Sequence, residues 1–445
     1  MKDSTLDLRE LAMHLRSGRL SPVDHVESTL AGLTEAGGLV TARDDDAAMR
    51  AAELAATEIT SGQWRGPLHG MAVAVSDTID VAGLPTRCGS AVRAGAAPAR
   101  TDAEAVARLR AAGAIVVAKA QCQELGLGPT GDVGVGSAPH NPHEHGAITG
   151  GASSGAAALV ARGYVPFALG SDTGGDVRVP AALCGVVGLR PHQGAVPTTG
   201  MVPVSTTLDL PGLLTGDVHG ASVVWDVLAR GAEGTGGGIQ EPGVTGLRIG
   251  LPQNALLGVD DPQLEVVLQA AAARLSQHGA ELVEIEIPDL DALAATYAVI
   301  VGAEAHATHA AELVERREDF QPETAQRLLA QSERTAQEYI SALRTRDRLR
   351  TSIMATLRRT YGLDALLLGT TPLRATPLGE RTLAGDLDLR AELPRLTSPF
   401  SLLGAPAVSV PARAVDGLPI GIQVAGVKLE ERGILRVAAV VDGKD

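Results

Sequence analysis

The spacing of apolar residues divides the chain. Up to about residue 65 they recur three or four positions apart, as on one face of a helix; from residue 70 they gather into short runs separated by amphipathic stretches, which predicts buried strands joined by helices. Ser21 before Pro22 supplies an N-cap and a preset first-turn residue, with Asp24 completing something like a capping box, and residues 43–60 continue as an Ala-rich helix. Met71–Val75 reads as the first strand. A helix over Asp102–Ala112 feeds a strand at Ala114–Ala118, and the Gly/Ala-rich segment Ser153–Arg162 feeds Val165–Leu169. The alternation returns at Leu247–Leu251, the helix after Pro262, Glu281–Ile287, Ala365–Leu368, Ala407–Val410 and Gly421–Val424. This is an α/β pattern that one sheet can hold.

Two stretches interrupt it. Residues 290–361 are charged and poor in strand residues, so a helical insertion or lid is expected there. Residues 231–245 are Gly-rich with no strand directly before them and no Gly-Lys-Ser/Thr after, which reads as a connection between two halves and not as a phosphate loop. No internal repeat is evident. The expected organisation is a single domain over 1–445: helices over 1–65, a core over 66–230, the connection, and the insertion.

Composition narrows the function. Hydrophobic residues make up 45% of the chain and aromatics 2%, so the core is aliphatic and recognition by ring stacking is disfavoured. A net charge of -14 argues against a broad nucleic-acid surface. With no signal-peptide pattern and no long apolar run, a soluble cytoplasmic protein with no membrane contact is expected. Cys88, Cys122 and Cys184 lie far apart and suggest neither disulfide nor thiolate metal site.

The densest Gly/Ser region runs from Thr149 to Pro180 and includes Gly150, Gly151, Ala152, Ser153, Ser154 and Gly155, then Ser171, Asp172, Thr173, Gly174, Gly175 and Asp176. Glycine at that density brings backbone close to a partner. Gly174 and Gly175 ahead of Asp176 resemble a nest of converging N–H groups that would steady a developing oxyanion; the alternative is a tight turn with Asp176 as N-cap of the next helix.

These segments carry a family resemblance. Gly66–Val75 with Asp77, Asp80–Thr86, Gly89 and Ser90, then Thr149–Ala161, then Phe167–Gly175 with Arg178, Pro180 and Cys184–Pro191, are similar to the signature segments of the amidase signature family, over roughly residues 5–289 and 363–441. The resemblance implies a large central mixed β-sheet covered by helices on both faces, and a mechanism in which a lysine base, a relay serine in a cis peptide and a nucleophilic serine cooperate. At those three positions this chain has Ser76, Ala152 and Asp176, with the last two twenty-four positions apart, as in the family pattern. A serine is no base of lysine's kind, alanine relays no proton, and a carboxylate is a poor acyl nucleophile. Conventional serine amidase chemistry is therefore not expected.

The gain of a carboxylate favours a repurposed enzyme. It would bind a small carbonyl or amide-type substrate, with Asp176 as acid/base in a non-hydrolytic step such as isomerisation, elimination, cyclisation or condensation. The alternatives are an inactive pseudoenzyme serving as a binding or partner subunit, and a residual amide hydrolase working through Ser76, Ser153 or Ser154. Thr173, Gly174, Gly175, Ser153, Ser154 and Arg87 are the expected substrate contacts, Arg87 through a substrate carboxylate or Asp176 itself. Asp172 and Arg178 are expected to form an internal salt bridge. His140, His143 and His145 read as loop histidines over a metal site, and His306 and His309, on one helix face, as packing or surface. No cofactor or metal is expected; a homodimer or a protein partner is.

Overall fold

A computed structural model describes residues 7–230, 243–412 and 417–443. Its centre is an eleven-stranded mixed sheet. In chain order the strands are β1 (Val40–Ala42), β2 (Ala72–Ser76), β3 (Ile115–Ala120), β4 (Phe167–Asp172), β5 (Val187–Arg190), β6 (Leu210–Thr215), β7 (Arg248–Pro252), β8 (Glu281–Ile285) and β9 (Ala365–Gly369). A small hairpin follows, β10 (Thr382–Leu383) and β11 (Leu387–Asp388), then β12 (Ala407–Ala412) and β13 (Ile420–Gly426). The sheet order is β1-β3-β2-β4-β6-β5-β12-β13-β9-β7-β8. β2 runs parallel to β3 and β4, and β7 parallel to β8 and β9, while β6, β5, β12 and β13 join these two parallel groups through antiparallel pairs.

Strand alternation assigns the two faces. Val73 and Val75 pack with the helices Leu8–Ser17, Val218–Arg230 and Glu431–Asp442, whereas Ala72 and Ala74 face the helices Pro22–Glu35, Asp45–Thr60 and Ser154–Ala161. Small residues on the second face let those helices sit close. At the other end of the sheet, Leu366 and Leu368 meet a layer drawn from the helices Leu290–Glu315, Pro322–Leu329, Ala336–Ala355 and Ser398–Leu403.

The predicted strands form, most with ends shifted by a few residues, but Met71–Val75 is not the first. Val40–Ala42 precedes it, an edge strand antiparallel to β3. β5 and β6 also escaped prediction. Ser21 caps its helix through Val23 N–H at 3.1 Å, and Asp24 takes no part in that bond. The expected connection at 231–245 falls largely outside the described residues.

Candidate active site

β4 ends at Asp172, and the chain turns through Thr173, Gly174 and Gly175 before entering the Arg178–Cys184 helix. Gly175 has φ of +137°, open to glycine alone, and a Cβ there would collide with Thr397, whose hydroxyl donates to Gly174 C=O at 2.6 Å. The turn is thus pinned from a distant segment. Beside it lies the Gly150–Ser154 loop, with a cis peptide bond between Gly151 and Ala152.

Asp176 sits where the two loops meet. Its Oδ2 accepts the N–H groups of Thr173 at 2.9 Å and Gly174 at 3.1 Å, and its Oδ1 accepts Ala152 N–H at 3.1 Å. The expected nest exists, and Asp176's own carboxylate occupies it. The N-cap alternative does not hold: the helix begins after Val177 with no side-chain cap. Burial pushes the Asp176 carboxyl up to about 6, helped by the charge of Asp172 and opposed by the three N–H donors.

Above Asp176 opens a cavity of about 520 Å³. Thr173, Gly174, Gly175 and Asp176 line its floor, with Gly151 beside them. Its walls are largely apolar, among them Leu127, Val204, Leu257, Leu290 and Val301. Two polar side chains from the 290–329 helices enter it. Tyr297 stands over Gly174, where a Cβ would strike its hydroxyl, and burial with the charge of Asp176 pushes its phenol up, so it is neutral. Arg327 lines the wall, and its buried Nη1 meets no acceptor among the described residues. The other arginines of the lining are committed, Arg390 to Glu323 and Arg395 to Asp260 and Glu392.

The remaining expected contacts fall elsewhere. Ser153 and Ser154 are fully buried and do not line the cavity: the Ser153 hydroxyl donates to Ser171 C=O and the Ser154 hydroxyl to Gln121 C=O. Arg87 also lies outside the lining, its N–H bonded to Asp77. Ser76 is buried in a hydroxyl chain through Thr78 to Ser171, and Ala152 contributes its N–H only. The buried Lys119 pairs with Asp77 at 3.1 Å, away from the cavity lining.

Asp172 does pair Arg178, both fully buried, and also holds Arg190. His140 stacks on His145 while His143 bonds Cys184 C=O, and no group of three metal-binding side chains occurs among the described residues. His309 is buried and His306 borders a surface cleft. Sequence reasoning missed Tyr297, Arg327 and Asp209, which takes the Thr173 hydroxyl at 2.6 Å.

Comparison with known proteins gives this geometry its setting. A family model described as Amidase matches residues 34–435. A glutamyl-tRNA(Gln) amidotransferase subunit from Symbiobacterium thermophilum is 34% identical, over 95% of this chain and 93% of that one; its counterpart from Halobacterium salinarum is 34% identical over 87% and 98%. Among solved structures, an amidase superposes with a TM-score of 0.88 at 34% identity, covering 99% of this chain and all of that one. A 6-aminohexanoate cyclic dimer hydrolase bound to its substrate gives 0.86 at 26%, covering 99% and 97%. Relatives and neighbours with these names overturn the expectation of a non-hydrolytic enzyme or an inactive binding subunit: what surrounds this chain is amide chemistry. Ser76, Ser153 and Ser154, the serines of the expected hydrolytic route, do not line the cavity. Among the described residues no helix is long and apolar enough to cross a membrane.

Proposed function

The chain belongs to the amidase family, and from that premise we propose that it hydrolyses a small amide with an anionic end, using Asp176 as the base that activates water in place of a serine nucleophile. The observation that carries this reading is the pairing, in one apolar cavity, of a carboxylate whose proton affinity is raised toward neutrality with a guanidinium whose buried Nη1 meets no acceptor among the described residues.

Ionised Asp176 lines the cavity and has an Oδ1 that accepts a single N–H, which leaves it acceptor capacity for a water proton. The water oxygen attacks the amide carbon, the C–N bond breaks, and the proton held by Asp176 passes to the departing nitrogen. Amide plus water gives carboxylic acid plus amine or ammonia. Protonation weakens the grip of Asp176 on the Thr173 and Gly174 N–H groups just as negative charge develops on the carbonyl oxygen, so those donors become available to the oxyanion. Neutral Tyr297 positions the carbonyl from above, and Arg327 pairs with the substrate's anionic end. Ser76 and Ala152, in this reading, take no chemical part. The relatives' names make them subunits, which supports work alongside a protein partner.

The test is release of ammonia or amine from a panel of carboxylate-bearing and neutral amides, by the chain alone and with whatever co-purifies stoichiometrically. Release that climbs as pH rises through about 6, and drops at least ~100-fold in Asp176→Asn, is expected. Turnover that Asp176→Asn leaves intact would overturn the assignment.

A further inference from the structure

Asp209 stands one residue ahead of β6 and is buried. Its Oδ1 accepts the Thr173 hydroxyl at 2.6 Å, and its Oδ2 accepts the N–H groups of Val204 at 2.8 Å and Ser205 at 3.0 Å. Thr173 in turn donates its own N–H to Asp176. One threonine therefore links the buried Asp209 to the half-buried Asp176, by side chain on one side and by backbone on the other. Asp209 does not line the cavity, so it touches no substrate there.

The segment that carries Asp209 is itself anchored. Ser205 and Thr207 donate to the Glu304 carboxylate of the Leu290–Glu315 helix, which also accepts the Tyr339 hydroxyl at 2.6 Å. Thr173 is thus fixed to a frame that reaches two helices beyond the sheet.

We propose that Asp209 is a positioning residue for Asp176: it holds Thr173 by the hydroxyl so that the backbone N–H stays on the Asp176 carboxylate. The inference rests on the reading of Asp176 as the base and deepens it. Asp209 is raised to about 7, by burial first and by the charge of Asp176 among the lesser causes, against its three donors. Of the charged groups that share the cavity with Asp176, Asp388 is paired with Arg390 and Glu392 with Arg395. Asp172 on the same loop raises Asp176, while Arg178 and Arg190 are spent on Asp172. Tyr297 above is neutral, and Arg327 lines the cavity wall. Asp209 is the remaining carboxylate tied to the loop.

The experiment is titration of the Asp176 side chain by carbon-13 NMR of carboxyl-labelled protein, its signal assigned by its loss in Asp176→Asn. In Asp209→Ala the Thr173 hydroxyl loses its acceptor, the N–H hold on Asp176 loosens and its midpoint rises by about one pH unit. In Thr173→Val the same tether is cut from the other side, and the midpoint again moves upward. In Asp209→Asn the amide oxygen still takes the hydroxyl, and the midpoint stays put because Asp209 is already mostly protonated while Asp176 titrates. Upward shifts in Asp209→Ala and Thr173→Val, with Asp209→Asn unmoved, support the proposal. Folded Asp209→Ala and Thr173→Val variants whose Asp176 midpoint stays within about 0.3 of wild type, with only the melting temperature lowered, overturn it, because packing alone moves stability and not the titration. If Asp209→Ala fails to fold, Thr173→Val decides by the same criterion. Should the midpoints move as stated while Asp176→Asn leaves amide release intact, the positioning role stands and the catalytic assignment falls.

Discussion

Asp176 has two partners to satisfy, the N–H groups that want its charge and the apolar surroundings that do not. Burial wins, and its carboxyl binds a proton more tightly folded than unfolded. A raised folded value means that stability from this group is complete below about pH 4 and is lost as pH climbs through about 6. In urea unfolding, wild type should therefore lose roughly 2 kcal/mol more than Asp176→Asn between pH 4 and pH 7.5, allowing for solvent in the cavity. Asp209 adds a loss of the same sign, up to about pH 7, and that loss is smaller in Asp176→Asn, where the Asp176 charge no longer raises it. Arg327 makes a separate demand. A guanidinium in an apolar wall, its Nη1 without an acceptor among the described residues, selects for anions, so Arg327→Gln is expected to cut kcat/KM for an acidic amide about 10- to 100-fold and to leave its neutral analogue nearly unchanged.

The turn from β4 to its helix shows how an element can be specified by what crowds it. A Cβ at position 175 would require a left-handed backbone region closed to alanine and would meet Thr397. Gly175→Ala should cost about 2 kcal/mol or more in chemical denaturation and displace the N–H groups that hold Asp176. Gly density made this turn and the Gly150–Ser154 loop legible in the sequence, as uninterrupted apolar runs did for β2, β3 and β9. β6 was not legible because Pro211 and Gly212 read as a turn, yet they pair with Ser171 and Gly170 in the middle of the sheet. β5 hid behind Gly188 and Arg190, a buried charge that the distant Asp172 and the Leu208 C=O make tolerable. The same logic separates the visible site from the hidden one. Asp176 stood in a recognisable loop, whereas Tyr297 and Arg327 belong to helices whose sequences carry no mark of what they face. A carboxylate opening the apolar run of β6 was the single local signal for Asp209.

Across the whole molecule, the charges that lock the site tie β4 to the site helix and to β5, one of the antiparallel strands that join the two parallel groups. Asp172 at the end of β4 binds Arg178 through both carboxylate oxygens at 3.0 Å and Arg190 of β5 at 3.3 Å. Arg178 continues to Gln423 of β13 at 2.7 Å, to Ser401 at 2.7 Å and to Thr397 C=O at 3.0 Å, so one buried cluster spans strands, the site helix and the segment that pins Gly174. Burial would raise the Asp172 carboxyl, but the two guanidiniums overcome it and hold it below its ordinary value. Removing that carboxylate leaves two cations stranded without water, and Asp172→Asn is expected to cost about 3–5 kcal/mol in urea unfolding. Arg178→Met should cost less, because Arg190 still neutralises Asp172 and the aliphatic chain refills much of the space. The double variant Asp172→Asn with Arg178→Met removes one carboxylate and one of its cations together, so its loss should fall well short of the sum of the two single losses. Additive losses would mean that the cluster acts through packing alone and that its charges do not bind the two halves of the sheet to one another.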